Sequence, residues 1–360
     1  MEALRQAIAR WYEDHKRSLP WRDDSSPYHV WLSEVILQQT RVNQGLDYYL
    51  RFTERWPTLA DLAAASEEEV LKMWQGLGYY SRARNLHRCA KEVMERHGGS
   101  FPADHKLLLQ LPGIGGYTAA AIASIAFGLP HAVVDGNVYR VLARLYDIET
   151  PINNKEGVTL FADLADRLLD QSHPGRHNQA LMEFGALQCI PQHPDCHSCP
   201  IAEHCLALAR RHVEQRPVKE KRITVKTRYL HYLRFLTPDH KVYLHKREEN
   251  DIWKNLYDFP CIEGDHPMPF DELLTHPLFL EMIGNQDLEI LDISLPFKHK
   301  LTHQTLIATF FTIKINNFLF PIQTKKLLLV PENELSSFPV PKLIENYLKT
   351  NCQVTTNNQL

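Results

Sequence analysis

Two acids stand in apolar surroundings, where a carboxyl group is costly to bury without a purpose. Glu34 is the one acid in "VWLSEVILQQTRV" (30–42), a helical stretch. At about 100° per residue it lies among Val30, Trp31, Leu37, Gln38 and Arg41. Burial beside Trp31 and Leu37 raises a carboxyl pKa and makes a usable general acid near neutral pH. The plain alternative is an exposed surface Glu. Asp135 follows two valines in "AVVDGNVYRVLARLY", just before a helix starting at about 137. It suits a helix N-cap, and a carboxylate there can also face a reaction centre and stabilise a developing cation. The helix N-terminus favours its ionised form. One carboxyl kept protonated and one kept charged is the arrangement that breaks glycosidic bonds.

Four of the seven cysteines, Cys189, Cys196, Cys199 and Cys205, are spaced C-x6-C-x2-C-x5-C. Disulfide scaffolds belong to short secreted chains, so this cluster in a 360-residue protein points to metal. Four thiolates can enclose a zinc ion or an iron–sulfur cube. Zinc ribbons usually offer two C-x2-C knuckles and here there is one, so the uneven spacing favours a compact loop around a larger cluster. Such a loop can also be a structural staple.

The turn "LPGIGGYT" (111–118) carries Gly113, Gly115 and Gly116 ahead of an alanine-rich helix. It has no G-x-G-x-x-G, no Walker lysine and no preceding Val/Ile strand, which argues against a nucleotide cofactor. Successive backbone N–H groups at a helix N-terminus suit a DNA phosphate, which positions a protein without specifying sequence. A plain connection between helices is the alternative. Aromatic and amide residues gather in "LQQT" (37–40) and "GLGYYSRARN" (76–85), where Gln and Tyr near glycines can wedge into a base stack and Arg82 and Arg84 can meet phosphates. A helix corner with core tyrosines is again the alternative.

The elements that must hold these groups are mostly helical up to about residue 210. Apolar residues recur at three- and four-residue spacing in 28–52, 66–76, 81–97, 116–128, 136–146 and 155–170. From about 229 the texture changes: "YLHYLRFL", "KVYLHKR", "LEILDISL" and "TLIATFFTIKI" predict strands, and "PKLIENYLK" (341–349) a closing helix. The expected organisation is a helical domain over 1–211, a basic linker over 212–228, an α+β domain over 229–350 and a flexible tail over 351–360. The linker segment "RPVKEKRITVKTR" has six basic residues and one acid, as a solvated linker or a phosphate-contacting strap would. Net charge is −3, hydrophobic content 44% and charged content 23%, as in ordinary soluble proteins. No apolar run approaches a membrane span, and the charged, amphipathic N-terminus is unlike a signal peptide. A cytoplasmic bacterial protein with no membrane partner is expected.

Taken in order, "WLSEVILQQT", "GLGYYSRARNL", "LPGIGGYTAAAI", "VVDGNVYRVLARL", "NQALMEFGALQC" and the four cysteines closely resemble the MutY-type adenine DNA glycosylases of the helix–hairpin–helix, iron–sulfur group, over about residues 15–210. The resemblance implies a mainly α helix–hairpin–helix glycosylase domain with an iron–sulfur loop, followed by an α+β Nudix-like domain. It implies excision of adenine mispaired with 8-oxoguanine in double-stranded DNA, with the base flipped into a pocket. Glu34 would protonate adenine N7 and later help deliver water. Asp135 would stabilise the oxocarbenium-like sugar, and Asn137 would orient the sugar or Asp135. Leu19, Trp21, Arg22, Val42 and Glu183 would form the adenine pocket, and Gln39 and Tyr79 would fill the gap left by flipping. The glycines of 111–118 would meet the DNA phosphate, and the four cysteines would hold a 4Fe-4S cluster. A monomer is expected.

Tyr117 separates neighbouring families. The endonuclease III-like relatives carry a lysine at this place in the hairpin, whose amine attacks the sugar. Tyrosine cannot form an imine, so base removal without efficient strand cleavage is expected, with the Tyr117 hydroxyl supporting Asp135. Further on, "DIWKNLYDFP" resembles the Nudix-like segment of the family, but "CIEGDHPMPFDELLTHPLFL" stands where a pyrophosphatase needs an R-E-x-x-E-E helix. Leu301, Thr302 and His303 occupy the place of the family's Phe-Ser-His loop for 8-oxoguanine, a departure that bears on the strength of that preference. Two rival readings are an endonuclease III-like pyrimidine glycosylase/lyase and a non-catalytic helix–hairpin–helix DNA-binding module. Tyr117 and the C-terminal domain argue against the first, and the pair Glu34 and Asp135 against the second.

Overall fold

The computed structural model describes residues 1–220, 225–284, 287–316 and 327–356, with side chains to 350. The chain divides into two compact units: Met1–Ala64 with Asn85–Lys221, and Ala65–Arg84 with Arg222–Leu360.

The first unit is helical. The periodic stretch 28–52 forms two helices, Pro27–Leu37 and Val42–Arg55, and later stretches form Gly116–Ala121, Gly136–Leu145, Lys155–Leu168 and, from Asn85 on, the helix Ser81–His97; the stretch 66–76 forms Glu67–Trp74 in the second unit. The core joins Glu2–His15, Gly136–Leu145 and Pro174–Leu187 through Ile8, Trp11, Val138, Leu142, Leu181 and Phe184. Gly185 makes this packing possible. A Cβ there would lie 2.7 Å from the Asn137 Cβ and 2.9 Å from the Asn137 carbonyl oxygen. Glycine lets the two helices close at the point where Asn137 stands.

The second unit is built on an eight-stranded sheet. Its strands are β1 (Lys226–Leu236), β2 (Lys241–Lys246), β3 (Tyr257–Asp258), β4 (Cys261–Gly264), β5 (Leu288–Ile293), β6 (Phe297–Lys300), β7 (Gln304–Ile315) and β8 (Leu327–Pro331). The path runs β3-β2-β1-β7-β5, with β4 on β1, β6 on β7 and β8 on β2. Among the described residues only β1 and β7 pair in parallel; the other pairs are antiparallel. The consecutive buried residues 310–313 of β7 reflect burial on both faces, as expected of a covered sheet. On one face Phe310 stacks at 3.8 Å on Tyr347 of helix Lys342–Thr356; on the other Phe311 packs with Phe270 and Phe279.

Two expected boundaries differ. Residues 65–84 belong to the sheet-bearing unit because their side chains bond to its backbone. Lys72 donates to the Phe338 carbonyl (3.1 Å), Tyr80 to that of Val340 (3.2 Å) and Arg84 to that of Lys254 (2.9 Å). At the C-terminus the closing helix runs on to Thr356, where a flexible tail was expected from 351. The basic linker is not a free strap either. Arg216 is buried against Asp147 (2.9 Å) and Glu149 (2.7 Å), and Arg228 is held by Asp251 and Glu263. Residues 221–224 of that linker lie outside the described residues. Among the described residues no helix is long and apolar enough to cross a membrane.

Candidate active site

Helix Pro27–Leu37 is buried along its length from Val30 to Ile36, and Glu34 is carried inside with it. Burial pushes its carboxyl up to about 7. A hydrogen bond from Tyr117 opposes that rise, while the charge of Asp135 adds to it and Arg22 subtracts. The raised carboxyl expected from Trp31 and Leu37 is thus present. Tyr117, in the first turn of Gly116–Ala121, donates its hydroxyl to Glu34 Oε2 and sits 3.8 Å from Met182 Sδ. This corrects the expectation that Tyr117 supports Asp135. The hairpin turn and Glu34 come from elements that face one another, so the hydroxyl reaches Glu34 first.

Asp135 caps helix Gly136–Leu145. Its Oδ1 accepts from the N–H of Asn137 (2.9 Å) and Val138 (2.7 Å), and its Oδ2 from Asn137 Nδ2 (2.8 Å). Burial nonetheless raises its pKa above the usual carboxylate value, against those bonds and the nearby Arg140. The sequence reading counted the helix end and omitted desolvation. Asn137 passes the contact on: its Oδ1 accepts from Arg140 Nη2 (2.9 Å), whose guanidinium also reaches the carbonyls of Gly185 (2.6 Å) and Cys189 (2.7 Å). The segment leading to Asp135 is pinned by Asn178, which is fully buried. Its Oδ1 accepts from the Val133 N–H (3.1 Å) and its Nδ2 donates to Ser124 Oγ and the His131 carbonyl, both at 2.8 Å. Sequence reasoning missed Asn178 and Arg140; an amide in the middle of the apolar helix 174–187 was the available signal.

The expected pocket residues divide. Leu19 and Trp21 are buried, Trp21 packing edge-on against Tyr49 at 5.0 Å. Val42 opens helix Val42–Arg55 and is half-buried. Glu183 is fully committed elsewhere. Arg17 donates to it from its backbone N–H (2.9 Å), Nε (2.9 Å) and Nη2 (2.6 Å), and Arg22 from Nη1 (3.1 Å) and Nη2 (2.8 Å). Burial works to raise this carboxyl, but the two arginines hold it at about 2. Five donors saturate a carboxylate's lone pairs, so Glu183 and Arg22 form one ion cluster with Arg17. Arg17 was not singled out from the sequence, although it lies two residues before Leu19.

Gln39 and Tyr79 are both exposed and both hold left-handed backbone, φ 55° and 48°. Such a conformation is strained for these residues and collects at functional turns. Arg82 lies over the rings of Trp74 (5.0 Å) and Tyr79 (5.7 Å), so both arginines of "SRAR" are engaged by protein groups. The Tyr79 hydroxyl is 2.7 Å from Thr302 Oγ1. Leu301, Thr302 and His303 form the turn between β6 and β7, closed by the Leu301 N–H to the Gln304 carbonyl (2.8 Å). Tyr79 and this turn line one cleft of about 600 Å³ with Arg84, Trp253 and Lys342, a volume typical of small-ligand sites.

In the hairpin, Gly113 holds φ 75° and a Cβ there would lie 2.6 Å from the Asn85 Cβ. Gly115 and Gly116 are exposed and have open space where a Cβ would be. The fold needs Gly113, whereas room at 115 and 116 is room for something that approaches the backbone.

Cys189, Cys196, Cys199 and Cys205 are free, partly buried and line one cavity. No three His, Cys, Asp or Glu side chains among the described residues converge on a single ion position. Asp195 lines the same cavity, but its carboxylate accepts from the His197 N–H and from the Ser198 N–H and hydroxyl; the four thiols fit zinc or iron–sulfur chemistry. Arg144 Nη1 donates to Cys189 Sγ at 3.4 Å, the kind of N–H···S bond that tunes a thiolate-held group.

A family model described as HhH-GPD superfamily base excision DNA repair protein matches residues 32–162, and a NUDIX domain model matches 231–350. The chain is 34% identical over 355 residues to an adenine DNA glycosylase of Buchnera aphidicola subsp. Baizongia pistaciae, covering 96% of this chain and 97% of that one. It is 48% identical over 217 residues to the adenine DNA glycosylase of Rattus norvegicus, covering 58% of this chain and 42% of that one, so it spans under half of the rat protein. Among solved structures it resembles a thermostable thymine-DNA glycosylase, with TM-score 0.54 and 28% identity over 58% of this chain and 96% of the other.

Proposed function

The chain belongs to the adenine DNA glycosylase family, and from that premise we propose that it hydrolyses the N-glycosidic bond of adenine opposite 8-oxoguanine or guanine in duplex DNA, without efficient strand cleavage. The carrying observation is the pair of unlike carboxyls: Glu34, buried and raised to about 7, and Asp135, capped by two backbone N–H groups and an amide.

Protonated Glu34 donates to N7 of the flipped adenine, weakening the bond to the sugar. As that bond lengthens, positive charge grows on the sugar ring. Asp135, ionised and fixed, meets that charge, and Asn137 keeps its Oδ2 oriented. Glu34, now a carboxylate, is placed to take a proton from the attacking water; Tyr117 stabilises that anion by its hydroxyl. Tyr117 has no amine, so no imine to the sugar forms there. Leu19 and Trp21 give the base an apolar slot, with the Arg17–Glu183–Arg22 cluster fixing its wall.

DNA is held by the hairpin backbone at Gly115 and Gly116. Gln39 and Tyr79 enter the stack. Thr302, with Leu301 and His303 beside it, reads the base opposite, its hydroxyl serving 8-oxoguanine in place of serine. The Nudix-like unit retains the fold without the R-E-x-x-E-E helix of a pyrophosphatase; two short helices, Phe270–Thr275 and Pro277–Ile283, follow β4. The working form in this reading is a monomer acting on the nucleoid.

The four cysteines, which line one cavity, would hold a 4Fe-4S cluster. When bound, the cluster supplies a rigid anionic knot that shapes the loop. A duplex panel tests the reading: A opposite 8-oxoguanine, G or C, and thymine glycol. Free adenine from the first two, with strand breaks appearing only after alkali, is expected; release from thymine glycol alone overturns it.

A further inference from the structure

Arg144 is 2% exposed, yet no carboxylate among the described residues pairs with it. Its Nε donates to the carbonyls of Val213 (2.9 Å) and Arg216 (3.3 Å). Its Nη1 donates to the Ile190 carbonyl (2.7 Å) and to Cys189 Sγ (3.4 Å), and its Nη2 to the Pro191 carbonyl (2.8 Å). Buried charges are ordinarily paired, because an unpaired one carries a large desolvation cost. The same region supplies such partners: Arg216, 5% exposed, pairs with Asp147 and Glu149. Arg144 alone of these two lacks one.

Its surroundings say what the missing negative charge is. Arg144 lines the same cavity as Cys189, Cys196, Cys199 and Cys205. The carbonyls it holds lie at both ends of the cysteine loop, at 190–191 just after its first cysteine and at 213 and 216 beyond its last. The Cys205 thiol points at the Arg144 carbonyl, 3.4 Å away. Arg140, one turn earlier, also holds the loop through the Cys189 carbonyl (2.7 Å), but its other bonds run toward Asn137 and Gly185 and it makes none to a cysteine sulfur.

We propose that Arg144 is the counter-cation of the thiolate-held cluster: its charge balances the anionic thiolate set, and its planar fork staples the two ends of the loop. This rests on the iron–sulfur reading above. A guanidinium suits both parts, because it stays charged and presents its donors in a fixed plane.

The test compares wild type, Arg144→Gln and Arg144→Lys as whole proteins, reading iron per chain, loss of visible cluster absorbance under a chelator in air, and reduction potential by voltammetry. Arg144→Gln should lose the cluster about 10- to 100-fold faster and show a more negative potential, since removing a cation favours the oxidised, less negative state. Arg144→Lys keeps the charge but not the fork, so it should lose the cluster faster at a near wild-type potential. Wild-type lifetime and potential in the Gln variant overturn the proposal. If that variant does not fold, a potential in the Lys variant shifted well below wild type overturns the charge role instead. Wild type without iron or visible absorbance would overturn the cluster reading itself, and this inference with it.

Discussion

The Tyr117 hydroxyl donates to Glu34 and leaves Asp135 to its own helix N-terminus. A hydrogen bond to a carboxylate favours its charged form, so Tyr117 pulls the Glu34 carboxyl down while burial pushes it up, with a net value of about 7. Tyr117→Phe removes the opposing bond. The alkaline limb of base release, near pH 7 in wild type, should then move to higher pH. Single-turnover rates across pH measure this; an unmoved limb or a shift to lower pH means the bond does not tune the acid.

The same burial predicts a stability change. Glu34 rises from the ordinary 4.5 to about 7. Folding therefore favours the protonated carboxyl, and its contribution is complete below about pH 4.5 and lost as pH rises through about 7. The difference corresponds to about 3 kcal/mol once the group is ionised. Glu34→Gln cannot ionise and keeps an oxygen for Tyr117. It should match wild type near pH 5 and exceed it at pH 8 by up to about 3 kcal/mol in denaturant unfolding. A variant less stable at both pH values would show that the carboxyl is not buried as described.

Gly113 and Gly116 should separate fold from binding. Gly113→Ala meets a left-handed φ of 75° and the Asn85 side chain, so thermal stability should fall, by about 1–3 kcal/mol. Gly116→Ala meets open space in the first turn of a helix, where alanine is if anything the better residue. Its melting temperature should hold while its affinity for duplex DNA drops. Equal affinity in Gly116→Ala would mean the hairpin backbone is not a phosphate contact.

Much of this site was legible in the sequence, for local reasons. Glu34 among Trp31 and Leu37 implied burial, and Asp135 before Gly136 implied a cap; both stand within one helix or its first turn. What was missed depends on segments far apart in the chain. Tyr117 meets Glu34 only once the hairpin helix docks on Pro27–Leu37. Glu183 became a saturated ion cluster because Arg17 and Arg22 converge on it. Residues 65–84 joined the second unit through bonds to the carbonyls of Lys254, Phe338 and Val340, and backbone acceptors leave no trace in side-chain pattern. The strand unit was easier, since β-branched and aromatic stretches such as "TLIATFFTIKI" read as strands whatever they pair with.

Thr302 and Tyr79 share a hydrogen bond across the cleft, which ties Tyr79 to the β6–β7 turn. Thr302→Val keeps the shape and removes the hydroxyl. Its kcat/KM ratio for adenine opposite 8-oxoguanine over adenine opposite guanine should fall about tenfold, the loss of one hydrogen bond to the lesion. An unchanged ratio would place lesion recognition elsewhere.

The most direct measurement is free adenine released in a single turnover from a duplex with A opposite 8-oxoguanine, by wild type, Glu34→Gln and Asp135→Asn. Asparagine caps a helix nearly as well as aspartate, so the second variant should fold and bind as wild type does. The account predicts adenine from wild type, with the rate falling above about pH 7, and losses of about 100-fold or more in both variants at retained duplex affinity. Adenine released at wild-type rates by both variants would contradict it.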